Sequence, residues 1–173
     1  MKMDAKTIRW IVSGIIGASS NNNTNIAGIN RRVRILPIKV CTVAGNCSNF
    51  NIQRGIRFAV NTGVDVANLS LGATFINDSN GQTVINNFAN FLNNLAGSQN
   101  VLFVVAAGND TANCDKTFVD CFLAEVGVAN LMGVAATTDQ DNPDGNYTNF
   151  GPTTIPIAAP GTGILTLNNT GGT

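Results

Sequence analysis

The sequence contains no histidine. Its own residues therefore cannot assemble a Ser-His-Asp or Cys-His device, nor a histidine-ligated metal site. Charge is scarce too: ten Lys and Arg balance ten Asp and Glu, and charged residues are 12% of the 173, about half the usual share. With zero net charge, neither a strongly basic nucleic-acid face nor a polybasic membrane anchor is expected. No apolar run reaches the roughly 18–20 residues that span a bilayer. The combination of low hydrophobicity and high charge that marks disorder is also missing. What takes the place of charge is asparagine, 26 of the 173 residues, beside an ordinary 44% of apolar residues. The length suits one domain with a sizeable core.

Four cysteines form two local pairs, Cys41 with Cys47 and Cys114 with Cys121. Four cysteines allow three pairings. Both local pairs lie in or beside loop-like sequence, which fits two short-loop disulfides in an oxidising compartment, with reduced thiols as the alternative. The spacing is too wide for a C-x-x-C zinc site. Seven N-x-S/T sequons occur, a number that a chain rich in Asn, Ser and Thr gives by chance. The start loosely imitates a signal peptide, with Lys2, Lys6 and Arg9 before an apolar run. Asp4 and the poor small-x-small site at residues 16–18 count against that, and Ile8–Ala18 reads as an amphipathic or buried helix.

Apolar β-branched runs alternate with segments of helical period. Val33–Val40 reads as a strand with Pro37 as its oddity. Asn51–Asn61 follows as a helix with Ile52, Ile56, Ala59 and Val60 on one face and Gly63 as its cap. Val64–Leu71 reads as a strand buried on both faces. Residues 74–81 read as a loop, and Thr83–Ala96 as a helix ended by Gly97. Val101–Ala107 reads as a central strand, with shorter strands at Leu131–Thr137 and Ile155–Ala159. The β-α-β-α-β order implies parallel strands joined by right-handed crossovers. An open α/β sheet holds its ligand outside the carboxyl ends of its strands. Those ends fall at 41–47, at Ser70-Leu71-Gly72 and at Ala107-Gly108-Asn109.

Other chemistries have weak support. Gly161-Thr162-Gly163 lacks the third glycine of a phosphate cradle, and no P-loop occurs. Asp139, Asp141 and Asp144 sit in a Pro-Gly turn and read as a solvated loop rather than a metal site.

Several turns, each ordinary alone, form a pattern together: Ser70-Leu71-Gly72-Ala73, Ala106-Ala107-Gly108-Asn109, Tyr147-Thr148-Asn149-Phe150-Gly151-Pro152 and Ala159-Pro160-Gly161. In this order and at these spacings they resemble the subtilisin-like serine proteases. The resemblance runs from about residue 11 to 170 and takes in Val12–Ala18, Asn25–Gly28, Leu36–Val40 and Gly55–Val60. It implies an α/β fold of three layers around a doubly wound, mostly parallel sheet, incomplete at both ends. It implies serine endopeptidase activity, a peptide or protein substrate, and no nucleic-acid or membrane partner. It also implies secretion, and no cofactor beyond a structural calcium.

Residue by residue, Asn109 matches the family's oxyanion-hole asparagine. Ser70, Leu71 and Gly72 match the segment along the primary specificity pocket. Ala106, Ala107 and Gly108 match another pocket wall. Gly45, Asn46 and Cys47 match the edge that pairs with extended substrate. Cys47 stands where the family has glycine, so a bond to Cys41 would stiffen that edge. Asn22 matches a calcium ligand, with the carbonyls of Ser20, Thr24 and Ile26 near it. Calcium takes 6 to 8 oxygens, more than these supply.

The departures concern the triad. Ile8 aligns with the catalytic histidine, in Ile8-Arg9-Trp10-Ile11 where H-G-T-H is expected. The catalytic aspartate belongs before Met1, and the serine of G-T-S-M-A beyond Thr173. Residues 1–10 do not match the family, and 11–173 read as a partial peptidase domain. Two expectations follow. Either the chain is the central part of an active serine endopeptidase, itself inactive, or it is a pseudoprotease or peptide-binding module.

Overall fold

The computed structural model describes residues 5–23, 26–71, 79–116 and 121–167. They divide into two units, Met1–Ala59 with Ile164–Thr173, and Val60–Gly163.

In the first unit, helix α1 spans Ala5–Gly17, three residues earlier than its apolar run suggests. The good helix formers Ala5 and Lys6 carry it back. The chain then turns and lies against the helix end, with the amides of Gly28, Ile29 and Asn30 bonded to the carbonyls of Ala18, Ile15 and Ile16 at 2.9–3.0 Å. The hydroxyl of Thr166 donates to the Ile11 carbonyl at 2.8 Å and ties residues 164–167 to α1.

Val33–Val40 is not a strand: no ladder includes it among the described residues. A strand is a relation between two segments, and β-rich composition supplies only one of them. Pro37 also removes a donor. The segment instead packs on helix α2, Asn49–Thr62. A Cβ on Gly55 would lie 2.4 Å from Val40 Cγ1, so only glycine allows the approach. The Ser48 hydroxyl accepts the Asn51 amide at 3.3 Å and caps α2. Ile52, Ile56, Ala59 and Val60 are all buried, as the helical spacing predicts. Gly63 (φ +76°) ends the helix in the left-handed region.

The second unit contains a four-stranded sheet, entirely parallel, in the order β1-β2-β3-β4. The strands are β1 (Val66–Leu69), β2 (Leu102–Ala106), β3 (Leu131–Thr137) and β4 (Ile157–Pro160). Helix α3 (Ser79–Asn94) is the crossover from β1 to β2. It begins before the expected residue 83, so Ser79–Gly81 are helix rather than loop. The rest of that expected loop lies outside the described residues.

β1 is shorter than its apolar run and is not buried on both faces. Only Leu69 is buried, and Val66 is 55% exposed. It is the terminal strand of the described sheet, flanked by β2 alone. β2 is central, as its uninterrupted apolar run implies. Phe103 and Val105 are 0% and 1% exposed. Buried with them are Phe88 and Leu92 of α3, Leu95 just beyond its end, and Phe122, Leu123 and Val126. The Phe88 ring meets Phe122 edge to face at 5.6 Å. Asn130 secures the entry to β2, its amide donating to the carbonyls of Ser98 and Val101 at 2.8 and 2.7 Å.

Both cysteine pairs form disulfides, Cys41–Cys47 and Cys114–Cys121. No described helix is long and apolar enough to cross a membrane.

Candidate functional site

Parallel pairing of β1 with β2 sets Leu69 beside Val105. The next residues, Ser70-Leu71 and Ala106–Asn109, therefore leave the sheet at the same carboxyl edge. The topology thus brings together two of the three stretches the sequence singles out. Gly72 lies outside the described residues. Ser70 and Leu71 are half-buried, and the Ser70 hydroxyl accepts the Asn68 side-chain amide at 2.8 Å.

The β2 side of this edge has a definite construction. Ala106 is exposed. Ala107 is buried, and its amide extends the ladder to the Val134 carbonyl at 3.0 Å. Its methyl therefore belongs to the core, whereas Ala106 is exposed and Gly108 half-buried. Gly108 (φ +110°) turns the chain where a side chain would be strained. Asn109 follows on the exposed side of that turn. No described residue engages its carboxamide through a hydrogen bond, so the two N–H donors are open to a ligand.

A second segment holds the turn. Residues 111–114 run alongside 147–150. The Thr111 amide bonds to the Tyr147 carbonyl at 3.0 Å, the Phe150 amide to the Ala112 carbonyl at 2.9 Å, and the Cys114 amide to the Phe150 carbonyl at 2.6 Å. Asn149 is completely buried. Its Oδ1 accepts the amides of Asp110 and Ala112 at 2.8 and 3.0 Å. Its Nδ2 donates to the Ala107 carbonyl at 3.1 Å and approaches Cys121 Sγ at 3.4 Å. Its backbone amide donates to the Gly108 carbonyl at 3.0 Å. The sequence marks Asn149 as part of a motif but gives no sign of this role, since its partners are 28 to 42 residues away.

The same support extends to two carboxylates. Asp115 accepts the amides of Thr153 and Thr154, the latter at 2.8 Å. Partial desolvation raises its carboxyl, but the bonds from Thr153 and Thr154 outweigh that and hold it below the ordinary value. Asp144 is buried, not solvated as its turn composition suggests. Its carboxylate accepts the Thr162 hydroxyl and the Asn146 amide, which lower its pKa. Asp139 and Asp141 are exposed. No group of three or more Cys, Asp or Glu that could hold a metal occurs among the described residues.

In the other unit, residues 41–47 form a tight disulfide-closed turn. The Thr42 amide bonds to the Asn46 carbonyl at 2.9 Å, and the Gly45 amide to the Thr42 carbonyl at 3.1 Å. The Gly45 amide and the Asn46 carbonyl are thus engaged within the turn and are not free to pair with an extended peptide. Asn22 is exposed between Asn21 and Asn23, both at positive φ. Thr24 lies outside the described residues. One side-chain oxygen with nearby carbonyls falls short of a calcium shell, so these residues do not by themselves fit the ion. Ile8 lies in α1.

Comparison with known proteins agrees with this geometry. The family model described as the subtilase family matches residues 10–173. Subtilisin Savinase of Lederbergia lenta is 32% identical over 88% of this chain and 50% of its own length. An extracellular protease of Xanthomonas campestris is 32% identical over 94% of the chain and 27% of its own length. A cold adapted subtilisin-like serine proteinase superposes with a TM-score of 0.68 at 25% identity, covering 94% of this chain and 51% of that one. The chain thus spans half or less of the curated relatives named here. With a parallel α/β sheet, its strand-end turn and a match over residues 10–173, this chain belongs to the subtilase family.

Proposed function

We propose that the chain carries the oxyanion-binding part of a serine endopeptidase acting on peptide or protein substrates. The observation that supports this best is Asn109: an exposed, unengaged carboxamide on a pinned turn at the carboxyl end of a buried parallel strand. As a nucleophile adds to a peptide carbonyl, the oxygen becomes an alkoxide. A neutral N–H fixed beside it stabilises that charge more than the ground-state dipole. Such a donor is worth about 3–4 kcal/mol of barrier.

Ser70 and Leu71 line the pocket for the residue before the cut, with Ala106 and Gly108 opposite. Residues 11–173 are the peptidase portion and 1–10 lie outside it. Because the chain has no histidine, the general base comes from outside these 173 residues, and the chain alone does not hydrolyse peptides. Two disulfides and the extracellular relative support secretion. The lack of histidine favours a second reading, a pseudoprotease that binds peptides without cutting them.

The test is hydrolysis of a peptide library by the natural full-length protein, with and without a fluorophosphonate. Cleavage abolished by covalent labelling supports the endopeptidase. Peptide binding without cleavage or labelling supports the pseudoprotease. Hydrolysis by residues 1–173 alone would overturn the placement of the base.

A further inference from the structure

We infer that Asn149 is a positioning residue for Asn109, a clamp that fixes the oxyanion turn from the core side. The inference rests on the endopeptidase reading and deepens it. Asn149 touches the backbone on both sides of Asn109. It holds the carbonyls of Ala107 and Gly108 before it, and the amides of Asp110 and Ala112 after it. One fully buried residue thus satisfies four backbone groups of residues 107–112, two on each side of Asn109.

The physical requirement is specific. A donor stabilises a transition state only if it needs no reorganisation when the charge appears. Asn109 itself is exposed and no described residue bonds its carboxamide, so its placement comes from its backbone. The backbone of the turn is held by a carboxamide that can accept two bonds on one oxygen while donating from its nitrogen. Neither aspartate nor leucine of similar size offers both functions. Asn149 in turn cannot shift. Its neighbour Thr148 accepts the Ala136 amide of β3 at 2.8 Å, and Cys121 of the disulfide lies against its amide.

The experiment is a double-mutant cycle in the natural full-length protein, with kcat and KM measured on a peptide substrate. Asn109→Ala is expected to lower kcat about 100- to 1000-fold. Asn149→Leu is expected to lower kcat about 10- to 100-fold with KM changed less than about threefold. The double variant should match Asn109→Ala within about threefold, because the clamp has nothing left to position. A residue that only stabilises the fold would give multiplicative losses, and that result overturns the inference. So does a folded Asn149→Leu variant with unchanged kcat.

Residue-resolved amide exchange is the independent arm. In Asn149→Leu the Asp110 and Ala112 amides should exchange about tenfold faster or more, while Val105 in β2 stays protected. Uniform acceleration of all three contradicts the clamp. If Asn149→Leu does not fold, Asn149→Asp, which keeps the two accepting contacts but not the donation to Ala107, is read by the same cycle. If Asn109→Ala leaves kcat unchanged, the endopeptidase reading fails, and the exchange arm alone then decides whether Asn149 holds the turn.

Discussion

Reducing the Cys114–Cys121 disulfide should destabilise the protein by an amount the loop itself sets. The bond joins residues seven apart. Cross-linking removes unfolded-state entropy of about 2.1 plus 1.5R ln n cal/mol/K, or roughly 2.4 kcal/mol at 25 °C for such a loop. The folded state loses little in return, because the ends are fixed independently. The Cys114 amide and carbonyl bond to the Phe150 carbonyl and the Thr154 hydroxyl, and Cys121 is buried beside Asn149. For 173 residues the loss corresponds to a fall in Tm of about 5–10 °C, and to about half that in a cooperative unit twice as long. Differential scanning calorimetry on the full-length protein and its Cys114→Ser/Cys121→Ser variant measures it, with mass spectrometry after alkylation without reductant confirming the bond in the parent. A shift under 2 °C, with the parent bond confirmed, would refute the entropic argument here.

Phe88→Ala should cost about 3–5 kcal/mol, since the ring is 1% exposed. A denaturation cycle with Phe122→Leu should show about 0.5–1.5 kcal/mol of coupling from their edge contact. The depressed carboxyls of Asp115 and Asp144 make stability sensitive to acid. A carboxylate whose pKa falls below its ordinary value on folding stabilises the fold above that ordinary value. That contribution is lost as pH falls through the lower folded pKa. Thermal melts should therefore drop between pH 5 and pH 2, and less steeply for Asp115→Asn, whose side chain does not titrate. An equal slope for parent and variant would contradict the Asp115 contacts.

The central strand and the helices α2 and α3 were legible because their signals are local. Ile52, Ile56, Ala59 and Val60 share a helical face whatever surrounds them, and the run at 101–107 can only be a core strand. Val33–Val40 misled because strand composition does not supply a pairing partner. β1 misled because burial depends on how many neighbours a strand has. Asp144 read as solvated because turn composition gives no hint that Thr162, 18 residues on, meets its carboxylate. The oxyanion candidate was legible through Ala106–Asn109 as a motif. Its clamp was not, because Asn149 is one asparagine of 26 and its function lies wholly in contacts distant along the chain. The parallel pairing of β1 with β2 brings Ser70-Leu71 and Ala106–Asn109 to the same carboxyl edge, as the β-α-β order implies.

The most direct measurement is kcat for Asn109→Ala in the natural full-length protein, with KM followed in parallel. The account predicts a loss of about 100- to 1000-fold in kcat at nearly constant KM, the signature of a contact made only in the transition state. An unchanged kcat, or a loss carried entirely by KM, would contradict it.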